Sequence, residues 1–144
     1  MKKILLYATL MIIFPLTVSA QSDQNLTSTC VLSAGPNTTY LKDYVIKLSK
    51  ATSKTNIPVV KENMYLMKGT NYRFTLCNAD GSTGQLVLTI YDRDKKIIST
   101  YDEKSGKIYS SIDFACNKTG AYTLWFSFTN GDQGMGVGVV SMVR

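Results

Sequence analysis

There is no histidine anywhere in the chain. That absence removes Ser-His-Asp and Cys-His catalysis and every histidine-containing metal site. Arginine is scarce, with Arg73, Arg93 and Arg144 the whole set. Arginine dominates phosphate and base recognition, so nucleic acid is not an expected partner. The formal net charge is +6, carried by scattered lysines that read as a solvated surface. Helical periodicity never exceeds two turns beyond residue 20, and no repeat or low-complexity tract occurs. No apolar run reaches the roughly 20 residues that span a bilayer. The longest, Ile4 to Val18, is interrupted by Pro15.

What is present at the start is a leader. Lys2 and Lys3 precede that apolar stretch, and Val18-Ser19-Ala20 puts small residues where signal peptidase cuts. Residues 1–20 therefore read as a cleaved secretory signal peptide, of a kind that looks bacterial. No cysteine sits at the cut, so a lipid anchor is not expected. The protein is expected to be exported, to the periplasm or the exterior. Residues 21–40 are polar and read as a loose N-terminal arm. Residues 41–144 have the length of one domain.

In that domain the rhythm is two residues. Ile112 and Phe114 alternate with Ser111, Asp113 and Ala115. Tyr122, Leu124, Phe126 and Phe128 alternate with Thr123, Trp125 and Ser127. Strand side chains point to opposite faces with period 2, so each run gathers its large apolar residues on one face. Similar runs occur at Leu41–Leu48, Val59–Lys68, Tyr72–Cys77, Leu86–Tyr91, Lys96–Tyr101 and Met135–Val143. Turn signals separate them, notably Gly69-Thr70-Asn71, Asp92–Lys95 and Asn130–Gly134. About eight short strands predict an all-β antiparallel sandwich or barrel. Gly136 and Gly138 in the last strand suggest a bulge or a close backbone approach.

Three cysteines in an oxidising compartment give one disulfide and one odd thiol. In sequential antiparallel strands, Cys77 and Cys116 fall at opposite ends of their sheets. Strands span roughly 17–20 Å, while a disulfide needs Cα atoms within about 7 Å. The expected bridge is therefore Cys30–Cys116, clipping the arm to the sandwich, with Cys77 a free thiol.

The order of YRFTL, LVLTIYDRDKKII, SIDFACNKTGAYTLWFSF and the final strand resembles the bacterial pre-peptidase C-terminal domain. The match covers about Lys68 to Val143. The chain also looks like small secreted proteins of Bacteroidota. The resemblance implies a jelly-roll-like sandwich with an accessory or binding role and no catalytic residue to carry over. Such domains usually follow a catalytic module, whereas only a leader, an arm and two strands come first here.

The candidate binding residues are few. Trp125 lies on the face opposite the apolar set, and Tyr91 opposite Ile90; exposed aromatics there stack on sugars or anchor a protein. Asp80, Asp102 and Asp132 fall in loops that strand parity places at one end. They read either as solvated loop acids or as a rim for a weak Ca²⁺ site. No cofactor or resident metal is expected. The leading expectation is a non-catalytic, exported binding or accessory module for a protein or glycan ligand. The alternatives are a Ca²⁺-dependent carbohydrate-binding or carbohydrate-active domain, and an envelope protein that self-associates through a strand edge.

Overall fold

The computed structural model describes residues 18–144. The expected signal peptide lies outside the described residues except for its last three positions. A helix, α1 (Val18–Ser33), comes first. The strands of the sandwich are β1 (Thr38–Leu48), β2 (Val60–Leu66), β3 (Asn71–Asn78), β4 (Leu86–Asp92), β5 (Lys95–Ser99), β8 (Ser111–Ala115), β9 (Gly120–Phe128) and β10 (Gly134–Val143). Between β5 and β8 sits a small hairpin, β6 (Tyr101–Asp102) and β7 (Lys107–Ile108).

The pairings describe one long hairpin rolled into a barrel-like sandwich. β4 meets β5 across the Arg93–Asp94 turn, β3 meets β8, β2 meets β9 and β1 meets β10, all antiparallel. Rolling adds the pairs β10·β3 and β4·β9. The result is two four-stranded sheets, ordered β1-β10-β3-β8 and β2-β9-β4-β5. That is the jelly-roll winding of two Greek keys: the strand rhythm predicts the sandwich, and the family resemblance its winding.

The core lies between the sheets. Tyr72, Phe74, Leu76, Leu86, Leu88, Ile90, Tyr122, Leu124, Phe126 and Phe128 are all buried there. Phe126 packs against Tyr44 with ring centroids 5.5 Å apart, and Phe114 meets Tyr122 edge-on at 5.7 Å. The inner face of β10 carries Gly134, Gly136 and Gly138, which leaves room for the rings of β9. A Cβ on Gly138 would stand 2.7 Å from the Phe126 ring, and one on Gly136 3.0 Å from Leu86. A Cβ on Gly134 would overlap the Phe128 ring. The glycines of the last strand therefore serve close approach.

The outer face of β10 is apolar too. Val137 and Val139 are fully buried there, beneath Leu26, Cys30 and Val31 of α1. This overturns the expected loose arm: residues 18–33 form a 16-residue helix, and β1 begins at Thr38, inside the supposed arm. Leu26, Cys30 and Ala34 recur every fourth residue, a narrow stripe on one helical face. Most of the rest of the helix is Ser, Thr, Asn and Asp, residues with little helical preference. Its stability comes from docking. Gly35 (φ 85°) ends it in the left-handed conformation, a common helix stop. The Arg73 guanidinium donates to Ala34 O at 3.0 Å while gripping both carboxylate oxygens of Asp113, at 2.6 and 2.8 Å. Those bonds hold the Asp113 carboxyl below the usual carboxylate range.

The disulfide joins Cys30 to Cys77, with Cα atoms 5.7 Å apart, and Cys116 is the free, buried thiol. The expected Cys30–Cys116 bridge and free Cys77 are both corrected. The end-to-end argument that separates Cys77 from Cys116 holds: in the β3·β8 register, Asn71 faces Ala115 and Thr75 faces Ser111. What it ignored was the face. Cys116 continues the Ile112–Phe114 alternation into the core, where Sγ donates to Lys118 O at 3.2 Å. Cys77 shares the outer face with Arg73 and Thr75, directly opposite Val137. A helix lying outside the sheet reaches only that one.

Two outcomes follow for stability. Gly138→Ala forces Phe126 off its rotamer, an overpacking cost of about 1–3 kcal/mol, read as a lower denaturant midpoint at unchanged slope. A nonreducing peptide map yields a linked Cys30/Cys77 pair, and Cys30→Ser lowers stability by about 2–4 kcal/mol; a Cys116-linked peptide would contradict the docked helix.

Candidate functional site

Rolling a hairpin sends alternate connections to the same end. The β1–β2, β3–β4, β5–β8 and β9–β10 connections gather at one end of the sandwich. The opposite end has tight turns such as Arg93–Asp94. The four gathered connections border a half-open cavity of about 610 Å³. Each contributes to it: Ile57 from the first, Thr83 and Gln85 from the second, Tyr101 and Ile108 from the third, Asn130 and Asp132 from the fourth. Val87 and Ser127, neighbours across the β4·β9 pairing, complete the lining from the outer face of the second sheet.

The walls are tied together by backbone. Ala51 N–H donates to Gly131 O at 2.7 Å, Gly84 N–H to Gln133 O at 3.1 Å, and Thr129 N–H to Gln85 O at 3.0 Å. Ser82 donates through Oγ to Met135 O at 2.8 Å and accepts from Met135 N at 2.9 Å. Asn130 and Gly131 both take positive φ, 58° and 66°, a conformation that asparagine and glycine tolerate best. Gly131 also needs its small size, since a Cβ would lie 2.8 Å from that of Ala51. The β6–β7 hairpin hangs from fully buried Thr100, whose Oγ1 accepts from Leu88 N at 2.9 Å. Tyr101 pairs with Ile108 across it. Pairing fixes their backbones, so the aromatic wall is carried on an ordered element.

The three loop acids share this end but meet at no common point. Asp132 lines the cavity, half-buried. Asp80 is exposed and borders a separate hollow of about 300 Å³ with Gln133 and Met135. Asp102 turns into its own hairpin, accepting from Ser105 Oγ at 2.6 Å and Lys104 N at 3.0 Å. These bonds, the serine's first, hold its carboxyl below the usual range. Among the described residues, no group of three His, Cys, Asp or Glu side chains is placed to hold a metal ion.

Trp125 and Tyr91 stand together on the outer face of the second sheet, ring centroids 4.7 Å apart and tilted by 39°. From the other neighbouring strand, Lys61 Nζ lies 3.9 Å over the indole. Trp125 is thus half-buried and flanked from both sides rather than offered as an open platform. It precedes Ser127 on the same face, but neither ring is part of the cavity lining. Tyr101, Ile57, Gln85 and Asn130 were not singled out in the sequence. The available signal was the length of the β5–β8 connection, too long for a tight turn and bracketed by Tyr101 and Ile108.

No model of a known protein family matches the chain, and no curated protein matches it. The candidate site stands on its geometry.

Replacing Gly131 by Ala strains the left-handed backbone and drives the β1–β2 and β9–β10 connections apart. The expected cost is about 1–3 kcal/mol, with loss of protection of the Ala51 amide in hydrogen exchange; an unchanged amide would show that the two loops do not depend on each other.

Proposed function

We propose that the protein is an exported bacterial binding module, without catalytic chemistry, that holds an uncharged sugar in the loop-end cavity. The carrying observation is the chemistry of the lining. All four connections at that end contribute, no Lys or Arg is among the lining residues, and Asp132 is the single carboxylate. An anionic ligand would enter without a countercharge, at a large desolvation cost. A fully apolar ligand would leave the side chains of Gln85, Ser127 and Asn130 without partners. A sugar offers an apolar C–H face for Tyr101, Ile57 and Ile108, and hydroxyls that donate and accept around its edge. The volume lies within the range of small-molecule sites, about 300–1,000 Å³.

Export is supported by the leader-like residues 1–20 and by the Cys30–Cys77 bridge, since disulfides persist in oxidising compartments. No helix among the described residues is long and apolar enough to cross a membrane. A binding role also agrees with the resemblance to pre-peptidase C-terminal domains.

A glycan array followed by calorimetry on the best hit tests the reading. Tyr101→Ala is expected to weaken binding at least about tenfold, or ~1.4 kcal/mol, and Asp132→Asn by less, because an amide still accepts from a hydroxyl. Binding lost on Trp125→Ala but kept on Tyr101→Ala would move the site to the open sheet face. A blank array would remove the sugar assignment.

A further inference from the structure

We infer that two copies of this chain join edge to edge through β1, extending the first sheet across a twofold axis at Val45. Independently of any ligand, the inference rests on how the sheet edges differ. β1 is the outer strand of its sheet and runs for 11 residues, against five for β5 and β8 and seven for β2. Among the described residues no strand pairs with its other edge, whose backbone N–H and C=O groups are a template for another strand. Leu41 and Val45 are each 42% exposed along it.

Edge strands are usually protected by lysine, proline or a bulge. β1 contains no proline, and its irregularity lies between Tyr40 and Lys42, leaving Lys42–Leu48 regular. Both of its lysines are drawn back onto their own chain. Lys42 Nζ lies 4.8 Å over the Tyr44 ring, and Lys47 pairs with Asp23 of α1 at 2.7 Å. The edge is therefore less defended than its composition suggests.

The regular segment is also complementary to itself. A twofold at its centre sets Val45 against Val45, Asp43 against Lys47, and Lys47 against Asp43. All three lie on the outer face, opposite Val137, Val139 and Met135. Opposite charges directly across an antiparallel pair stabilise it, and like charges destabilise it. Lys47 is more than half exposed and keeps two N–H donors beyond the one given to Asp23. About the centres of their strands, the other edges gain no such pairs, whereas β1 gains them about the centre of its regular segment. β8 would set Asp113 against itself. β2 would oppose Lys61 with Tyr65, and β5 would oppose Lys95 with Ser99. Only β1 gains paired charges.

Sedimentation of the protein purified after export decides it. A dimer at micromolar concentration is expected. Asp43→Lys and Lys47→Asp singly place like charges face to face twice per dimer and raise the dissociation constant at least about tenfold. Together they restore opposite charges and bring it back near the parent value. Val45→Cys gives a second readout that needs no charge change. Facing residues lie about 4.5–5.5 Å apart at Cα, within reach of a disulfide, so a mild oxidant yields a covalent dimer. A parent that stays monomeric throughout overturns the inference. So do single reversals that associate like the parent while melting at its temperature, or a dimer that Val45→Cys fails to cross-link.

Discussion

Phe126 and Phe128 set the distance between the two sheets. Their rings point from β9 into the core and come to rest where β10 has no side chains, over Gly138 and Gly134. Over that stretch β10 gives the core no side chain of its own, and Val140, beyond the glycines, is its inward apolar residue. The strand compensates on the outer face, where Val137 and Val139 are apolar and need a cover. Helix α1 supplies it, and because that helix has little intrinsic preference to form, it is bolted down by Cys30–Cys77 and by Arg73 at its end. The glycines, the two valines, the helix and the disulfide are successive answers to one packing problem.

The rolled hairpin divides labour between the two ends of the sandwich. At the tight end the chain reverses with few residues to spare. Tyr122, buried there, donates its hydroxyl to Lys118 O at 2.6 Å, and burial above all pushes its pKa up to about 12. That end is fixed structure. At the other end four longer connections meet, and the backbone bonds among them keep a hollow open. Loops positioned by a rigid scaffold are where binding residues concentrate. Helix α1 covers Val137 and Val139 on the outer face of the first sheet, whereas no helix among the described residues lies on the outer face of the second. The outer face of the second sheet reaches the hollow through Val87 and Ser127.

Much of this was legible in the sequence because β structure writes itself with period 2. The alternation in Tyr122–Phe128 placed those residues inward and Trp125 outward, as found. Turn residues at Asp92–Lys95 marked the tip of the hairpin, and strand parity put Asp80, Asp102 and Asp132 at one end. The same period, applied to faces as well as ends, separates Cys116 from Cys77: Phe114 and Cys116 share a parity, whereas Leu76 and Cys77 do not. Helix α1 was illegible for a different reason. Among its described side chains Leu26, Cys30 and Val31 pack on the outer face of β10, with Ala34 buried just past its end, a stripe too narrow to stand out among polar residues. Its existence depends on a surface of β10 formed by residues more than a hundred positions later. The cavity was hidden likewise, since Ile57, Gln85, Tyr101 and Asn130 become neighbours only when the hairpin is rolled.

The pairing of the first sandwich strand with the last has a topological corollary. Thr38 faces Val143, Arg144 N–H donates to Asn37 O at 2.8 Å, and Arg144 Nε donates to Thr39 Oγ1 at 2.7 Å. The backbone that enters the sandwich and the backbone that leaves it are side by side. A short peptide bridge would close the β-fold into a ring, and new termini could be cut at the exposed Arg93–Asp94 tip, where chain breaks are best tolerated. Such a circular permutant would keep every strand pair but turn the innermost turn of the winding into its outermost ends.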